Sequence, residues 1–310
     1  MESNKQLNIL ETNILYFLMA VLLLSVGTVV QTQSIISGLI ITEYLLVLMP
    51  PLIYLLAKRI PIIKFLRLNK LRFKHGLLII AITILSYPIA LFFNLIVMTL
   101  LSTIGTIQQP PIPIASDLGE YFTLMAIIAL SAGLCEEVFF RGMLMRGYES
   151  LGPIPAIFIS AVLFGLFHFN IQNLAGPTVL GIIFGYLVYR TDSLFAGMIG
   201  HATNNGIAVT IGYLANVANN KFLQQDLETI GQMPGTLQMA LSTITIGVVA
   251  LVTGLCAFAL LRIIIKDTQK EREDREEVSF NKPSVWVYTP VFLTIIIFMY
   301  IGYLQIAKII

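Results

Sequence analysis

Charged residues are scarce in this sequence. Asp, Glu, Lys and Arg make up only 12% of the 310 residues, whereas a soluble globular domain carries about 25%. The apolar residues are collected into long uncharged runs, and a run of about 18 or more can cross a bilayer. The net charge of +2 is too small to indicate a nucleic-acid partner. The composition therefore predicts an integral membrane protein that does not bind nucleic acid.

Cysteine is scarce as well. Cys135 and Cys256 both lie inside apolar runs, and they do not form a CxxC pair. A disulfide framework and a zinc ribbon are therefore not expected. The first apolar run, Ile14 to Val30, has no A-x-A cleavage pattern, so we expect a retained membrane span rather than a signal peptide.

The apolar runs predict an all-α fold, a polytopic membrane bundle of eight to nine transmembrane helices around an intramembrane cavity. Pro50 and Pro51 are expected to break or kink the second span. Glu43 is expected near the outer end of that span, at the membrane interface. The predicted spans cover residues 14–32, 39–57, 76–101, 121–147, 154–169, 177–190, 194–215, 237–261 and 285–307.

The basic residues are unevenly distributed along the chain. They are concentrated in residues 58–74 and 262–284 and at one end of the fourth and sixth spans. If the N-terminus is cytoplasmic, only Lys221 and Lys308 of the 19 Lys and Arg residues fall outside. This distribution is the positive-inside bias of membrane proteins. It predicts a multi-pass protein of the cell membrane with a cytoplasmic N-terminus.

Three ionisable residues lie close together in the fourth span. Each charge at a bilayer centre costs about 2.5–3.5 kcal/mol on the insertion scale, so such residues mark functional sites. Glu137 and Arg141 are four residues apart on one helix face and can form an ion pair. Glu136 is turned by about 100° from Glu137 and can face the interior of the bundle. One carboxylate is thus predicted to be paired and the other to remain available for chemistry.

Two later spans carry further polar residues at helical spacing. Phe164 and His168 share one face of the fifth span, and His201 and Asn205 share one face of the seventh. At 1.5 Å per residue, Glu136, His168, His201 and Asn205 lie about 10–21 Å from the predicted cytoplasmic ends. We expect all four in one cavity. The alternatives are a structural histidine, a structural Glu137–Arg141 pair and an inter-helix hydrogen bond from Asn205.

These residue types suit the hydrolysis of an amide by water. Glu136 with His168 can take a proton from a water molecule. His201 with Asn205 can donate hydrogen bonds to a developing oxyanion. A zinc site formed by Glu136, His168 and His201 is the alternative. Because an HExxH motif is missing and Asn is a poor zinc ligand, we expect no cofactor.

The motifs resemble those of a known family, the CAAX prenyl protease type II and bacteriocin-processing (CPBP, or Abi) intramembrane proteases. The resemblance covers roughly residues 120–215 and includes the connecting segment 185–194. It implies a helical membrane fold with a conical cavity and endopeptidase activity. It also implies that Glu136 and His168 activate water and that His201 and Asn205 form the oxyanion hole. The matching motifs are Glu136-Glu137-x-x-x-Arg141, Phe164-x-x-x-His168 and His201-x-x-x-Asn205.

The resemblance divides the chain into three parts. We expect N-terminal transmembrane helices in 1–119, a catalytic core in 120–215, and C-terminal helices with a cytoplasmic charged loop, 262–284, in 216–310. Glu137, Arg141 and Phe164 would support the catalytic residues. The expected substrate is a membrane-associated peptide or protein, prenylated, otherwise lipid-anchored or helical, entering from the cytoplasm or laterally from the lipid bilayer. The alternative function is a non-proteolytic binding, immunity or regulatory protein.

Reporter fusions after Lys74, Val217 and Ile310 test the predicted topology. Nine spans with a cytoplasmic N-terminus place these points inside, outside and outside, because basic loops stay in the cytoplasm. A cytoplasmic reporter signal from the Ile310 fusion would contradict nine spans and would remove one of them, with the ninth as the first candidate.

Overall fold

A computed structural model describes residues 7–105, 113–222, 235–270 and 283–309. Every regular element among these residues is a helix, and the predicted all-α class is confirmed. The charged loop predicted from residue 262 starts later, because the eighth helix continues to Asp267, and residues 271–282 lie outside the described ranges. The helices are α1 Ile9–Gln33, α2 Ile35–Ala57, α3 Phe73–Ser102, α4 Leu118–Leu151, α5 Pro153–Phe167, α6 Ala175–Thr191, α7 Leu194–Phe222, α8 Gly235–Asp267 and α9 Thr289–Ile309.

Seven helices in the described ranges are long and apolar enough to cross a membrane, which makes this a multi-pass membrane protein. They are α1 to α4, α6 with the preceding turn from Ile171, α8, and α9 with the preceding turn from Val285. The other two predicted spans are also helical. However, α5 has only 15 residues, and α7 carries the polar sequence His201 to Asn205. Both need shelter from the surrounding helices.

The two prolines of α2 do not end the helix, which continues from Ile35 to Ala57. Pro50 and Pro51 lie in the first turn of the segment Met49–Ala57. The preceding segment, Thr42–Leu48, is π-helical. A proline lacks the backbone N–H and clashes with the carbonyl one turn before it, and a π-helical turn relaxes that hydrogen-bond pattern. Of the predicted break or kink, the break is wrong, because the helix is continuous, and the kink stays a prediction.

The chain leaves α-helical geometry between α5 and α6, at residues 168–174, which include a short 3-10 helix, Ile171–Asn173. Exposed backbone polar groups cannot be tolerated inside a membrane, so side chains must satisfy them. Gln305 of α9 accepts from the backbone N–H of Ile171 at 3.0 Å and donates to the carbonyl of Phe169 at 2.8 Å. Asn94 of α3 accepts from the backbone N–H of Gly176 at 2.6 Å. Two distant helices thus hold the segment that begins with His168.

Helix α3 packs against α6, α7 and α8, and α7 packs along α4. The crossing of α4 and α7 is close because Gly133 lies at the contact. A Cβ atom added there would stand 2.9 Å from the backbone nitrogen of Ala202. Small residues allow such close approach between membrane helices. This crossing brings the ionisable part of α4 next to His201.

Replacing Gln305 with Leu is expected to destabilise the protein. The substitution leaves the backbone groups of Phe169 and Ile171 without their partner, at a cost of about 1–3 kcal/mol each. The thermal unfolding midpoint in detergent should fall by several degrees. Gln33→Leu, at an exposed position of α1, is the matched control and should leave the midpoint unchanged. Equal midpoints for both variants would contradict this role of Gln305.

Candidate active site

Helix α4 is irregular on both sides of its acidic pair. The α-helical segment Ala132–Glu137 lies between the π-helical segments Met125–Ser131 and Val138–Leu144. Side chains bond to carbonyls of these segments: Asn205 Nδ2 donates to Ile128 O at 2.9 Å, and Ser160 Oγ donates to Phe140 O at 3.1 Å. π-Helical turns occur frequently at functional sites. Here they surround the short segment that ends with Glu136 and Glu137.

Glu137 and Arg141 form a fully buried ion pair. Arg141 Nη1 donates to Glu137 Oε1 at 2.6 Å, the contact that their spacing predicts, and both side chains are 0% exposed. The guanidinium carbon lies 4.5 Å from the ring centroid of Phe164 and 5.9 Å from that of Phe184. Arg141 is therefore held by a carboxylate and by cation–π contacts with α5 and α6.

Helix α7 completes the surroundings of Glu137. His201 Nδ1 lies 3.0 Å from Glu137 Oε1. A Cβ atom added to Gly197 would lie 2.3 Å from Glu137 Oε2, so the carboxylate occupies the space that any side chain at 197 would need. Glu137 therefore joins α4 to α7, and its carboxylate is already bonded to Arg141 and His201.

The ring of His201 lies between the two glutamates. Because the Glu137 carboxylate accepts hydrogen bonds, Nδ1 of His201 is the donor in their contact. The other ring nitrogen, Nε2, lies 3.8 Å from Glu136 Oε2. Phe184 stacks on the ring at 6.0 Å between centroids, and Phe164 meets it edge-on at 5.6 Å. The ring orientation is thus fixed by the carboxylate and two aromatic side chains.

Glu136 and His168 line one cavity of about 320 Å³. His168 is exposed to it and Glu136 is partly exposed, in contrast to the buried Glu137. His168 Nδ1 lies 3.0 Å from the carbonyl of Phe164. A carbonyl only accepts, so Nδ1 carries the proton and Nε2 of the neutral ring is an acceptor. The other lining residues are Leu23, Leu24, Gly27, Thr28, Gln31, Thr42, Glu43, Val47, Phe167 and Phe169.

The expected convergence of four residues is only partly present. His201 and Asn205 are not among the residues that line this cavity, although His201 adjoins Glu136. Asn205 donates one amide hydrogen to Ile128 O, and its Oδ1 accepts from Asn204 Nδ2 at 3.1 Å. The bond to Ile128 is the inter-helix hydrogen bond that was the structural alternative for Asn205. One amide hydrogen of Asn205 remains for another acceptor.

Glu43 lines the cavity, although its position in the sequence predicts the membrane interface. It was expected at the membrane interface, but it is 7% exposed and lines the cavity with Glu136. Because α2 begins at Ile35 rather than at residue 39, Glu43 also lies about one helical turn further from the start of the helix than predicted. An acidic residue in an apolar run was the available signal.

The described residues do not contain a group of three His, Cys, Asp or Glu side chains that could hold a metal ion. The alternative zinc set of Glu136, His168 and His201 is therefore not assembled in this part of the chain. His201 Nδ1 is directed at Glu137 and His168 Nδ1 at a backbone carbonyl, contacts that leave Nε2 of either ring able to bind a metal. The independence of the reaction from metal stays a prediction.

Comparison with known proteins agrees with the motifs. Residues 119–207 match the family of type II CAAX prenyl endopeptidases, Rce1-like. The resemblance predicted from the three motifs is confirmed for this segment, which contains all seven of their residues.

A relative from Bacillus subtilis (strain 168) is named "Putative membrane peptidase YdiL". The two sequences are 30% identical over 95 residues, which are 30% of this chain and 39% of the relative. No solved structure matches the chain.

The substitution Gly197→Ala tests the packing around Glu137. The new methyl group would collide with Glu137 Oε2, and overpacking of this kind typically costs about 1–3 kcal/mol. The thermal unfolding midpoint should fall. Gly212→Ala is the matched control on α7, because a Cβ there has only Ile114 Cγ2 nearby, at 4.0 Å. If the two variants unfold at the same temperature, the close contact at Gly197 is not important.

Proposed function

We propose that this protein is an intramembrane endopeptidase that hydrolyses a peptide bond of a membrane-associated substrate with water activated by Glu136. The observation that carries the proposal is the division between the two adjacent glutamates. Glu137 is buried and bonded to Arg141 and His201, while Glu136 lines a cavity together with His168. The match of residues 119–207 to the Rce1-like endopeptidases supports the same reaction class.

The first step would be proton transfer from water to the Glu136 carboxylate. His168 orients the water, because its Nε2 is free to accept a hydrogen bond while Nδ1 donates to Phe164 O. The water oxygen attacks the scissile carbonyl carbon and forms a tetrahedral intermediate. The carbon–nitrogen bond then breaks, and the proton held by Glu136 passes to the leaving amine.

The oxyanion of that intermediate needs hydrogen-bond donors. His201 Nδ1 donates to Glu137, so Nε2 can donate to an oxyanion only when the ring carries both protons. Glu137 faces Nδ1 of that ring as a carboxylate, while Glu136 already holds the water's proton at this stage. Asn205 retains one amide hydrogen for the same purpose, beside its bond to Ile128. We therefore assign His201 and Asn205 to oxyanion stabilisation.

The substrate would enter laterally between α1 and α2. Both helices contribute to the cavity wall, and Thr28 on that wall is exposed. The end predicted to face the cytoplasm is instead joined by ion pairs, because Arg67 contacts Glu149 at 2.6 Å and Asp192 at 2.8 Å. A lipid-anchored or helical peptide would reach the cavity from the bilayer, and burial of its apolar surface contributes about 25 cal/mol per Å². A prenylated C-terminal peptide belongs to this class.

Cleavage of membrane-anchored and prenylated peptides by the purified protein tests the proposal. Glu136→Ala and His168→Ala should each lower turnover by about 10²–10⁴-fold, the usual contribution of acid–base catalysis. Glu11→Ala, at an exposed surface ion pair with Lys58, is the control and should keep wild-type turnover. If Glu136→Ala and His168→Ala both keep it, the assignment is wrong. Stable capture of an uncut partner by all these variants would instead favour the non-proteolytic alternative.

Turnover in the presence of a metal chelator tests the expected independence from metal. We expect unchanged activity, because the three-ligand group that a zinc ion needs is not formed by the described residues. Activity that is lost to the chelator and restored by zinc alone, with stoichiometric zinc in the active protein, would contradict the expectation.

A further inference from the structure

The cavity contains a second acidic residue that the proposed mechanism does not use. Glu43 projects from the π-helical segment of α2, Thr42–Leu48, and is 7% exposed. Its Oε2 atom is buried without a hydrogen-bond partner among the described residues. A carboxylate in this position loses its hydration without compensation, which is costly inside a protein. A ligand that supplies a positive charge would remove that cost.

The charges around the cavity are unbalanced. Its lining contains two carboxylates, Glu43 and Glu136, and one imidazole, His168. The nearest guanidinium on α4, Arg141, is 0% exposed and bonded to Glu137, so it does not lie on the cavity surface. In surroundings of low dielectric constant an opposite charge is attracted more strongly than in water. Burial favours the neutral form of an acid, and a cationic group would stabilise the charged form of both carboxyl groups, so the cavity suits a cationic group better than an anionic one.

The residues near Glu43 can also accept hydrogen bonds from a cation. Gln31 Nε2 donates to Thr42 Oγ1 at 3.0 Å, which leaves the Gln31 carbonyl oxygen as an acceptor. Thr28 contributes a hydroxyl to the same wall. The rest of the lining is apolar and suits the aliphatic part of a long side chain; it consists of Leu23, Leu24, Gly27, Val47, Phe167 and Phe169.

We propose that Glu43 forms a specificity subsite for a lysine or arginine side chain of the substrate, adjacent to the bond that Glu136 and His168 act on. This inference rests on the proposed function and adds that the substrate carries a positive charge near the cleaved bond. The cationic side chain would pair with Glu43 while the peptide backbone lies against Glu136. Glu43 is then a residue of substrate selection and takes no part in moving the proton.

Matched membrane-anchored peptides test the subsite. Each pair carries either lysine or its uncharged analogue norleucine at one position on either side of the scissile bond. The wild-type protein should cleave the lysine peptide of one pair with a kcat/KM about 10- to 100-fold higher, the effect expected of a charge-assisted contact. In Glu43→Gln this preference should disappear through a loss on the lysine peptide alone. Glu11→Gln removes a surface carboxylate of the same helical hairpin and should keep the preference.

The other outcomes separate the two proposals. If the wild-type protein cleaves both peptides equally, the subsite is absent while the proposed function stands. If Glu43→Gln lowers cleavage of both peptides by the same factor, Glu43 acts on the reaction itself and the subsite is also disproved. If the wild-type protein cleaves neither peptide of any pair, the proposed function fails and the subsite fails with it.

The thermal stability of Glu43→Gln shows whether Glu43 selects the substrate or supports the fold. Glu43→Gln replaces a buried carboxylate that lacks a bonding partner with a neutral group of the same shape, so its thermal unfolding midpoint should equal or exceed that of the wild type. A lower midpoint would show that Glu43 supports the fold, which would overturn the assignment.

Discussion

The buried ion pair of Glu137 and Arg141 is the interaction on which the site depends. Its two partners are completely buried, and Glu137 Oε2 and two Arg141 nitrogens, Nε and Nη2, lack hydrogen-bond partners in the described residues. Such a pair contributes little net stability, yet the loss of one partner leaves an uncompensated charge and typically costs about 3–5 kcal/mol. The surrounding helices are arranged accordingly. Phe164 and Phe184 cover the guanidinium, His201 donates to the carboxylate, and Gly197 leaves room for it.

This arrangement explains why two adjacent glutamates have different surroundings. The carboxylate of Glu137 binds α4 to α7, and the same contact orients His201, whose other nitrogen faces Glu136. Phe164 contacts Arg141, His168 and His201 from one helix. Gln305 and Asn94 hold the irregular backbone segment that begins with His168. Glu136 can then face the cavity without having to stabilise the bundle.

Much of this could be predicted from the sequence, because charged residues in apolar helices are rare and helical spacing shows which of them share a face. The pairing of Glu137 with Arg141 followed from that spacing alone. The burial of Glu43 could not be predicted from spacing, since it depends on where α2 begins and on the approach of α1. The positions of Phe184, Gly197 and Gln305 depend on contacts between distant segments, and one sequence contains no periodic signal for such contacts. The engagement of Asn205 with Ile128 depends on a π-helical segment that no residue pattern indicated.

The separate functions of the two glutamates can be tested most directly by thermal unfolding of Glu136→Gln and Glu137→Gln, two isosteric substitutions at neighbouring positions. The account predicts that Glu136→Gln unfolds at the wild-type temperature or above. It predicts that Glu137→Gln unfolds at a clearly lower temperature, because Arg141 then remains buried without a counter-charge. Equal unfolding temperatures for the two variants, or a larger loss for Glu136→Gln, would contradict the account.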